Sequence, residues 1–426
     1  MFNLSRLRAG IYSGACLCLS VFVSSPLLAA PGSGSIRPPT GLASFVARVL
    51  VDSPEIQAAE AAVAAASARQ RGAGLPLYNP ELEFEAELLR GRGSSEQQYM
   101  AGFSQTVDWH NKRGAREQAA VAELGAVQGE LVALRLQQTA ELIAALAQRG
   151  AADEVRDLAR RRRDILKRFA ALAQRLHSAG DIPLVELELA RLSLAESSMA
   201  LATSEADRIA AGQAFYALTG MDIDRAPTLP KWPPTELPPG TPVESAAQQH
   251  PAVLAAQLRS QAAKRQINAA DRGRKSDPTF GVLGGTDDGD GKIVLGFSIP
   301  LQIRNNGRFN VDVASSEALQ AEQQALQVYR AGVARLSAAR DRYRIIASAW
   351  QDWQVRGRRS LDKRLNLLEK LWRAGELRTT DYLVQLQQTL DTRIAGAALR
   401  ADLWSAYIEW QSAAGTLPAW INGEKR

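Results

Sequence analysis

The sequence predicts a mainly α-helical chain with a duplicated repeat, in which each copy adds two strands to a membrane β-barrel and a long helix pair to a helical barrel. Two observations support this fold class. The second half of the chain repeats the first at an offset of about 195 residues. Each half also places a pair of strand-like segments before a proline-free stretch far longer than the helices of globular domains.

The duplication is visible in four short segments that keep their order and spacing. Residues 53–60 correspond to 250–257, 102–104 to 296–298, 179–182 to 374–377, and 217–220 to 412–415. Matching positions along the whole length indicate that one complete unit was duplicated, which predicts a pseudo-symmetric fold.

The predicted organisation follows from these copies. It places a signal peptide at residues 1–29, the first repeat at 30–226 (hairpin 80–107, helix pair 112–219), a linker at 227–242, the second repeat at 243–417 (hairpin 278–301, helix pair 306–415) and a tail at 418–426. The linker contains seven prolines and cannot be helical.

The first 29 residues have the pattern of an export signal. Arg6 and Arg8 precede a short apolar run at residues 11–23, and small residues follow near Ala29. The run is too short to span a membrane as a helix. Both cysteines, Cys16 and Cys18, lie in this segment, so the mature chain has no thiol. Lipidation of Cys16 is the minor alternative to cleavage near Ala29, which is itself an approximate position.

The charge balance gives no support for nucleic-acid binding. The sequence has 51 Lys and Arg against 45 Asp and Glu. The signal carries two of the basic residues, and the remaining charges are interspersed along the chain. A basic stripe is the usual footprint of a nucleic-acid-binding surface, and none is present.

Each repeat contains one predicted β-hairpin. Residues 81–88 alternate between glutamate and apolar side chains, and a glycine-rich turn at 91–95 leads to a second alternating segment. In the second copy we predict strands at 280–283 and 293–301, joined by a glycine- and aspartate-rich loop at 284–291. A solvated loop is the better interpretation of Asp287, Asp288 and Asp290, because their spacing fits no full calcium loop.

Strands of this length match tilted membrane-spanning strands. Four strands cannot close a barrel, and open edges are not tolerated in lipid, so a membrane location requires oligomers: two chains give eight strands and three give twelve. The alternative is a pair of soluble hairpins that cap a helical rod. In a membrane, Glu83, Glu85 and Glu87 would face water, and the lipid-facing residues would be Leu82, Phe84, Leu88, Phe103, Phe280, Val282, Ile293, Leu295 and Phe297.

Two proline-free stretches predict helices of about 65 residues, or about 100 Å each. They run from Lys112 to about His177 and from Asn306 to about Arg373. Leucine and isoleucine recur along them at seven-residue spacing, which is typical of coiled-coil packing. Glycines at 180 and 375 suit the left-handed position that ends a helix, so each long helix is predicted to turn there and return.

In this order and spacing the chain resembles the TolC-like outer-membrane factor family, the exit ducts of tripartite efflux pumps and type I secretion systems. The resemblance covers essentially the whole mature chain. It rests on the duplication and on residues 79–82 (NPEL), 102–104 (GFS), 296–301 (GFSIPL) and 373–377 (RAGEL). Within the family the chain is most similar to the cobalt–zinc–cadmium (CzcC-like) efflux branch.

The resemblance implies a homotrimer in the outer membrane of a Gram-negative cell, with a 12-stranded barrel and a long periplasmic α-helical barrel. It implies a passive duct for heavy-metal cations, partnered by a periplasmic membrane-fusion adaptor and an inner-membrane resistance-nodulation-division (RND) pump. A duct for drug efflux or type I protein secretion is the alternative. A soluble periplasmic coiled-coil structural or adaptor protein is the alternative of another class.

The family's functional positions can be carried over to the helix tips. The adaptor-contact residues would be Ala179, Gly180, Asp181, Ala374, Gly375 and Glu376. Asp381 matches an acidic position that rings the periplasmic constriction, and Glu186 is its counterpart in the first copy. A second acidic position of some relatives falls on Val384, so this constriction would be less acidic.

We expect no enzymatic activity, no cofactor and no resident metal. The three histidines, His110, His177 and His250, are far apart in sequence, and no nucleophile motif is present. Each histidine is predicted to be a surface or packing residue, with a transient metal contact at His177 as the minor alternative. The mature chain has no cysteine that could bind a soft metal.

Overall fold

A computed structural model describes residues 41–90, 95–234, 242–287, 289–374 and 376–423. The predicted signal peptide, with Cys16 and Cys18, lies outside this part of the chain. The described residues form a mainly helical fold with one small antiparallel sheet, which confirms the predicted fold class. Within them no helix is both long and apolar enough to cross a lipid bilayer.

The elements follow one order in both repeats. The first contains α1 (Leu42–Asp52), α2 (Pro54–Ala73), β1 (Glu81–Arg90), β2 (Ser95–Thr106), α3 (Lys112–Ala179) and α4 (Leu184–Thr219). The second contains α5 (Val243–Gln248), α6 (Pro251–Gly273), β3 (Thr279–Asp287), β4 (Asp290–Ser298), α7 (Arg308–Asp352), α8 (Arg358–Arg373) and α9 (Thr379–Ala413), and is followed by α10 (Leu417–Ile421).

The two helices that precede the hairpins begin in the same way. The Ser53 hydroxyl accepts a hydrogen bond from the Ile56 N–H at 3.5 Å, and Pro54 opens α2. His250 takes the same position before α6, where its Nδ1 accepts from the Ala252 N–H at 3.2 Å. Proline at the first helical position loses no hydrogen bond.

The His250 cap fixes the tautomer of its ring. Because Nδ1 is an acceptor, the proton lies on Nε2, which donates to the Ser412 carbonyl at 3.1 Å. Burial lowers the pKa of His250 from its usual 6.5, the bond to Ser412 works against that shift, and Arg335 adds to it. Protonation at Nδ1 would remove the acceptor and therefore the cap.

We expect this histidine to make stability pH-dependent. Its folded-state pKa is depressed, so its contribution is present above about pH 6.5 and is lost as the pH falls towards the folded pKa. Thermal unfolding of the wild type and of His250→Asn should be compared between about pH 7.5 and about pH 5.5. Asparagine is a neutral cap, so the variant should lose less stability on acidification; equal losses would contradict the assignment.

The four strands form one antiparallel sheet in the order β1-β2-β3-β4. The predicted bounds of β3 were too short, because residues 284–287 continue the strand instead of forming a loop. Glycine at 285 permits this pairing: a Cβ there would overlap the Tyr99 carbonyl of β2. Composition typical of a loop therefore reflects a close approach of two strands.

The long helix of the second repeat is not continuous, which corrects the uninterrupted helix predicted from Asn306 to about Arg373. Residues Trp353–Gly357 form a π-helical turn between α7 and α8, whereas α3 runs for 68 residues without a break. The Trp353 ring lies against Gly357 and against Gly396 of α9, and a Cβ at either glycine would overlap it. The absence of a Cβ at both glycines makes room for this ring.

The largest core cluster joins α1, α3, α4, α7, α9 and α10 around aromatic side chains. The Tyr343 ring stacks on Trp410 with centroids 5.1 Å apart, and its hydroxyl donates to the Pro234 carbonyl of the linker. The end of the chain departs from the predicted tail, because α10 packs into this core through Leu417 and Ile421. These apolar residues are four apart and therefore share one helix face. Linker residues 235–241 lie outside the described residues.

Candidate functional site

The sheet has one continuous apolar face. Leu82 pairs with Phe103, which pairs in turn with Val282, and directly paired residues share a face. The side chains are exposed, with 76% of Phe84 and 79% of Leu295 accessible. The predicted lipid-facing residues on this face are Leu82, Phe84, Leu88, Phe103, Phe280, Val282, Ile293, Leu295 and Phe297.

The opposite face is acidic along β1 and also includes the apolar Met100, Leu283 and Val294. Glu81, Glu83, Glu85 and Glu87 follow one another along β1 on this side. The Ser104 hydroxyl donates to Glu83 at 2.6 Å. Nearer the β3–β4 turn, Lys292 pairs with Asp287 at 2.9 Å, while Asp288 lies outside the described residues. One face of the sheet is therefore suited to lipid and the other to water and cations.

No strand among the described residues pairs with either edge of the sheet. The edge strands are β1 and β4, and their apolar side chains remain exposed. An open edge of this length presents a row of unpaired N–H and C=O groups. The sheet is therefore complete only when further strands bind to β1 and β4.

A buried polar network joins the two repeats at the base of the sheet, the end where the strands meet the helices. Asp277, with 1% of its side chain exposed, accepts from the Tyr78 hydroxyl at 2.9 Å and pairs with Lys112 Nζ at 3.0 Å. His110 Nδ1 lies 3.4 Å from its other oxygen. Burial alone would raise the pKa of this carboxyl group, but the bonds from Lys112 and Tyr78 hold the pKa below its usual value.

The two helix tips close with the same backbone pattern. At the first tip Gly180 has φ +83°, and the Asp181 N–H donates to the Leu176 carbonyl at 2.9 Å. At the second tip the Glu376 N–H donates to the Leu371 carbonyl at 3.0 Å. Each bond spans six residues, as in a Schellman motif. Gly375 lies outside the described residues.

The predicted tip and constriction residues lie on the exposed end of the helix pairs. The exposed tip residues are Ala179, Gly180, Asp181, Ala374 and Glu376. Asp381 and Glu186 both lie in the first turn of a returning helix, where a carboxylate is favoured by the helix dipole. Asp381 is exposed and Glu186 is half-buried.

Sequence reasoning missed the aromatic cluster behind the tips. Phe169 of α3 contacts Trp372 of α8 and Tyr382 of α9, with centroids 5.0 and 5.4 Å away. Trp372 and Tyr382 stack at 4.9 Å. The cluster packs the second tip against the first, and its members come from segments too distant in sequence for periodicity to connect them.

Ion pairs tie α3 to α9 between this cluster and the large core. Arg162, only 10% exposed, pairs with Asp391 at 2.7 Å, and Arg400 of α9 pairs with Glu154 of α3. The acid is on α9 in the first pair and on α3 in the second. The two helix pairs of one chain are thus held together by ion pairs nearer the large core and by aromatic packing nearer the tips.

Metal-binding geometry does not appear in the described residues. No group of three His, Cys, Asp or Glu side chains could hold an ion there. His110 is in the sheet-base network, His250 caps α6, and His177 Nδ1 donates to the Ile182 carbonyl at 3.0 Å. Each described histidine therefore has a hydrogen-bonding role within the fold.

Comparison with known proteins agrees with this architecture. Residues 46–221 match the family described as "Outer membrane efflux protein". No curated protein sequence matches the chain. Its fold is similar to the outer membrane channel CmeC of Campylobacter jejuni, with TM-score 0.73 and 14% identity over 88% of this chain and 86% of that chain.

Two further solved structures have the same fold. The outer membrane protein VceC of Vibrio cholerae gives TM-score 0.70 and 18% identity over 88% of this chain and 96% of that chain. The open state of the MtrE outer membrane channel of Neisseria gonorrhoeae gives 0.68 and 17% over 90% of each chain. The chain therefore has the fold of these outer-membrane channels, and most of its first repeat matches the outer membrane efflux protein family.

Proposed function

We propose that this protein is the outer-membrane exit duct of a tripartite efflux system, with most of its mass in the periplasm. The observation that carries the proposal is the sheet, with an apolar face, an acidic face and two open edges. Unpaired backbone groups are not tolerated in lipid, so such a sheet enters a membrane only as part of a closed barrel.

Closure requires several copies of the chain. In the sheet β1 and β4 run antiparallel, so β4 of one chain can pair with β1 of the next. Three chains give twelve strands around an aqueous pore, whereas two give eight strands and a lumen filled by side chains. The homotrimer is therefore the assembly that fits a duct, and the acidic face lines its lumen.

The helices extend this pore into the periplasm. At 1.5 Å per residue the 68 residues of α3 span about 100 Å. The exposed tips at Ala179–Asp181 and at Ala374 and Glu376, together with Gly375, would contact a periplasmic membrane-fusion adaptor. In this proposal the duct is passive, and its energy would come from an inner-membrane pump.

The native mass of the protein extracted from outer membranes in detergent tests the proposal. Three mature chains in one particle, retained in the membrane during alkaline carbonate extraction, are the expected result. A monomer released without detergent would refute the duct and favour the soluble periplasmic rod or adaptor.

For the cargo we propose heavy-metal cations exported by an RND-type pump, in the manner of the CzcC-like branch. The acidic face of the sheet supports a cationic cargo. A wide, water-filled duct needs no specific metal ligands. Deletion of the gene should sensitise cells to cobalt, zinc or cadmium. Sensitivity to drugs alone, or loss of a secreted protein, would instead favour drug efflux or type I secretion.

We propose that Asp381 and Glu186 line the periplasmic constriction. Three symmetry-related Asp381 carboxylates would concentrate cations at the closed end of the tube. Asp381→Asn should weaken cation block and change single-channel conductance in planar bilayers, whereas the exposed Asp352 gives a control variant, Asp352→Asn. Unchanged block and conductance in Asp381→Asn would remove Asp381 from the gate.

A further inference from the structure

We propose that a collar of three segments at the base of the sheet binds the anionic phospholipid headgroups of the periplasmic leaflet. The collar consists of residues 107–113, 271–278 and 299–312, which precede or follow the strands. This inference rests on the proposed outer-membrane location and adds a lipid-binding surface to it.

Hydrogen bonds hold the three segments together. The Val107 N–H donates to the Pro278 carbonyl at 2.9 Å, and Arg272 Nη1 donates to the His110 carbonyl at 2.8 Å. The Ser276 hydroxyl donates to the Pro300 carbonyl at 2.5 Å. The collar is therefore one continuous surface, placed where the apolar face of the sheet ends.

The collar exposes large apolar side chains outside the sheet. Trp109 is 66% exposed and Ile303 is 83% exposed. The exposed apolar residues of the collar are Val107, Trp109, Ile299, Leu301, Ile303 and Phe309. Ile299, Leu301 and Ile303 continue the alternation of β4 beyond Phe297, and Val107 and Trp109 follow β2. Tryptophan is enriched where a membrane meets water. A position at the membrane–water interface accounts for the exposure of these apolar side chains.

The collar is also basic. Its three segments contain seven Lys or Arg and four Asp. Asp277 forms a buried ion pair with Lys112, and Asp271 pairs with Arg274 and Lys275. Within the described residues no carboxylate pairs with the exposed Arg113 or Arg304. Guanidinium groups beside apolar side chains complement a phosphate headgroup and its acyl chains.

Bromolipid quenching of Trp109 tests the apolar part of this inference. The other seven tryptophans lie in the helical part or linker of the chain, so the fluorescence difference between wild type and Trp109→Phe isolates this residue. The full-length oligomer is reconstituted in bilayers containing brominated phosphatidylcholine. Quenching of the difference signal is expected. An unquenched Trp109 would show that a neighbouring copy covers the collar and would overturn the inference.

Charge selectivity is tested by replacing brominated phosphatidylcholine with brominated phosphatidylglycerol at the same mole fraction. Stronger quenching is expected, because each exposed arginine can enrich an anionic lipid by up to about fivefold. Arg113→Glu with Arg304→Glu should abolish the preference, and a glutamate at 113 suits the first turn of α3. The control variant is Arg265→Glu with Arg330→Glu, on exposed helical positions away from the collar. Equal preference in both double variants would overturn the headgroup assignment.

These outcomes separate the collar from the proposed duct. A chain that forms no membrane-inserted oligomer refutes the duct itself, and the collar with it. A trimer that conducts ions but shows no quenching of Trp109, or no preference for phosphatidylglycerol, refutes the lipid-binding collar alone.

Discussion

Replacing Asp277 with alanine is expected to destabilise the folded chain by about 3–5 kcal/mol, because the change leaves the buried Lys112 ammonium without its carboxylate. The Tyr78 hydroxyl would lose its acceptor as well. Since Tyr78 and Lys112 belong to the first repeat and Asp277 to the second, the loss falls on the contact between the repeats. Thermal unfolding of the purified oligomer in detergent measures the effect.

A matched control lies six residues earlier in the same segment. Asp271 pairs with Arg274 and Lys275 on the surface, so Asp271→Ala should change the unfolding temperature little. The paired replacement of Asp277 by leucine and Lys112 by methionine should recover much of the loss, because it removes both charges together. Equal unfolding temperatures for Asp277→Ala and Asp271→Ala would show that the network does not hold the repeats together.

The sequence predicted the parts of this fold that local chemistry determines. The alternation of glutamate and apolar residues on β1 is a property of neighbouring positions, and so is the serine, proline and acid series that starts α2. The left-handed Gly180 at the first tip follows from the chain's need for a residue without a Cβ. Each of these features can be recognised within about ten residues.

Features that depend on distant contacts were not predictable. The π-helical turn contains Trp353, whose ring contacts Gly396 on another helix, and the residues around Trp353 do not indicate that contact. Asp277 and Tyr78 are 199 residues apart. The extension of β3 through residues 284–287 also depends on a distant contact, since Gly285 leaves the space that Tyr99 of β2 occupies. The glycine is visible in the sequence, but the contact that requires it is visible only in the tertiary structure.

The candidate site also contains features set by neighbouring residues and features set by distant contacts. The polarity of each sheet face and the position of Asp381 follow from periodicity and from the tip motif. The aromatic cluster of Phe169, Trp372 and Tyr382 appears only when α3, α8 and α9 are brought together. The residues proposed to face the cargo are thus accessible to sequence reasoning, whereas those that hold the helix tips together are not.

Removing the acidic side chains of β1 is expected to reduce the cation preference of the proposed duct several-fold. In the variant with Glu83, Glu85 and Glu87 all replaced by glutamine, each chain loses three lumen carboxylates, and a trimer loses nine. Carboxylates that line a pore concentrate cations and exclude anions. The reversal potential of single channels under a salt gradient measures the ratio of cation to anion permeability.

The control keeps the charge and changes the side chain. The variant with aspartate at the same three positions should retain a cation preference close to that of the wild type, although the shorter side chain at position 83 would weaken the bond from Ser104. Lowering the salt concentration should widen the difference between the glutamine and aspartate variants, because screening of the lumen charges decreases. If both variants conduct and both keep the wild-type reversal potential, the acidic face does not line the pore. Any cation selectivity of the proposed duct would then be set by the helical barrel, with Asp381 as the first candidate residue.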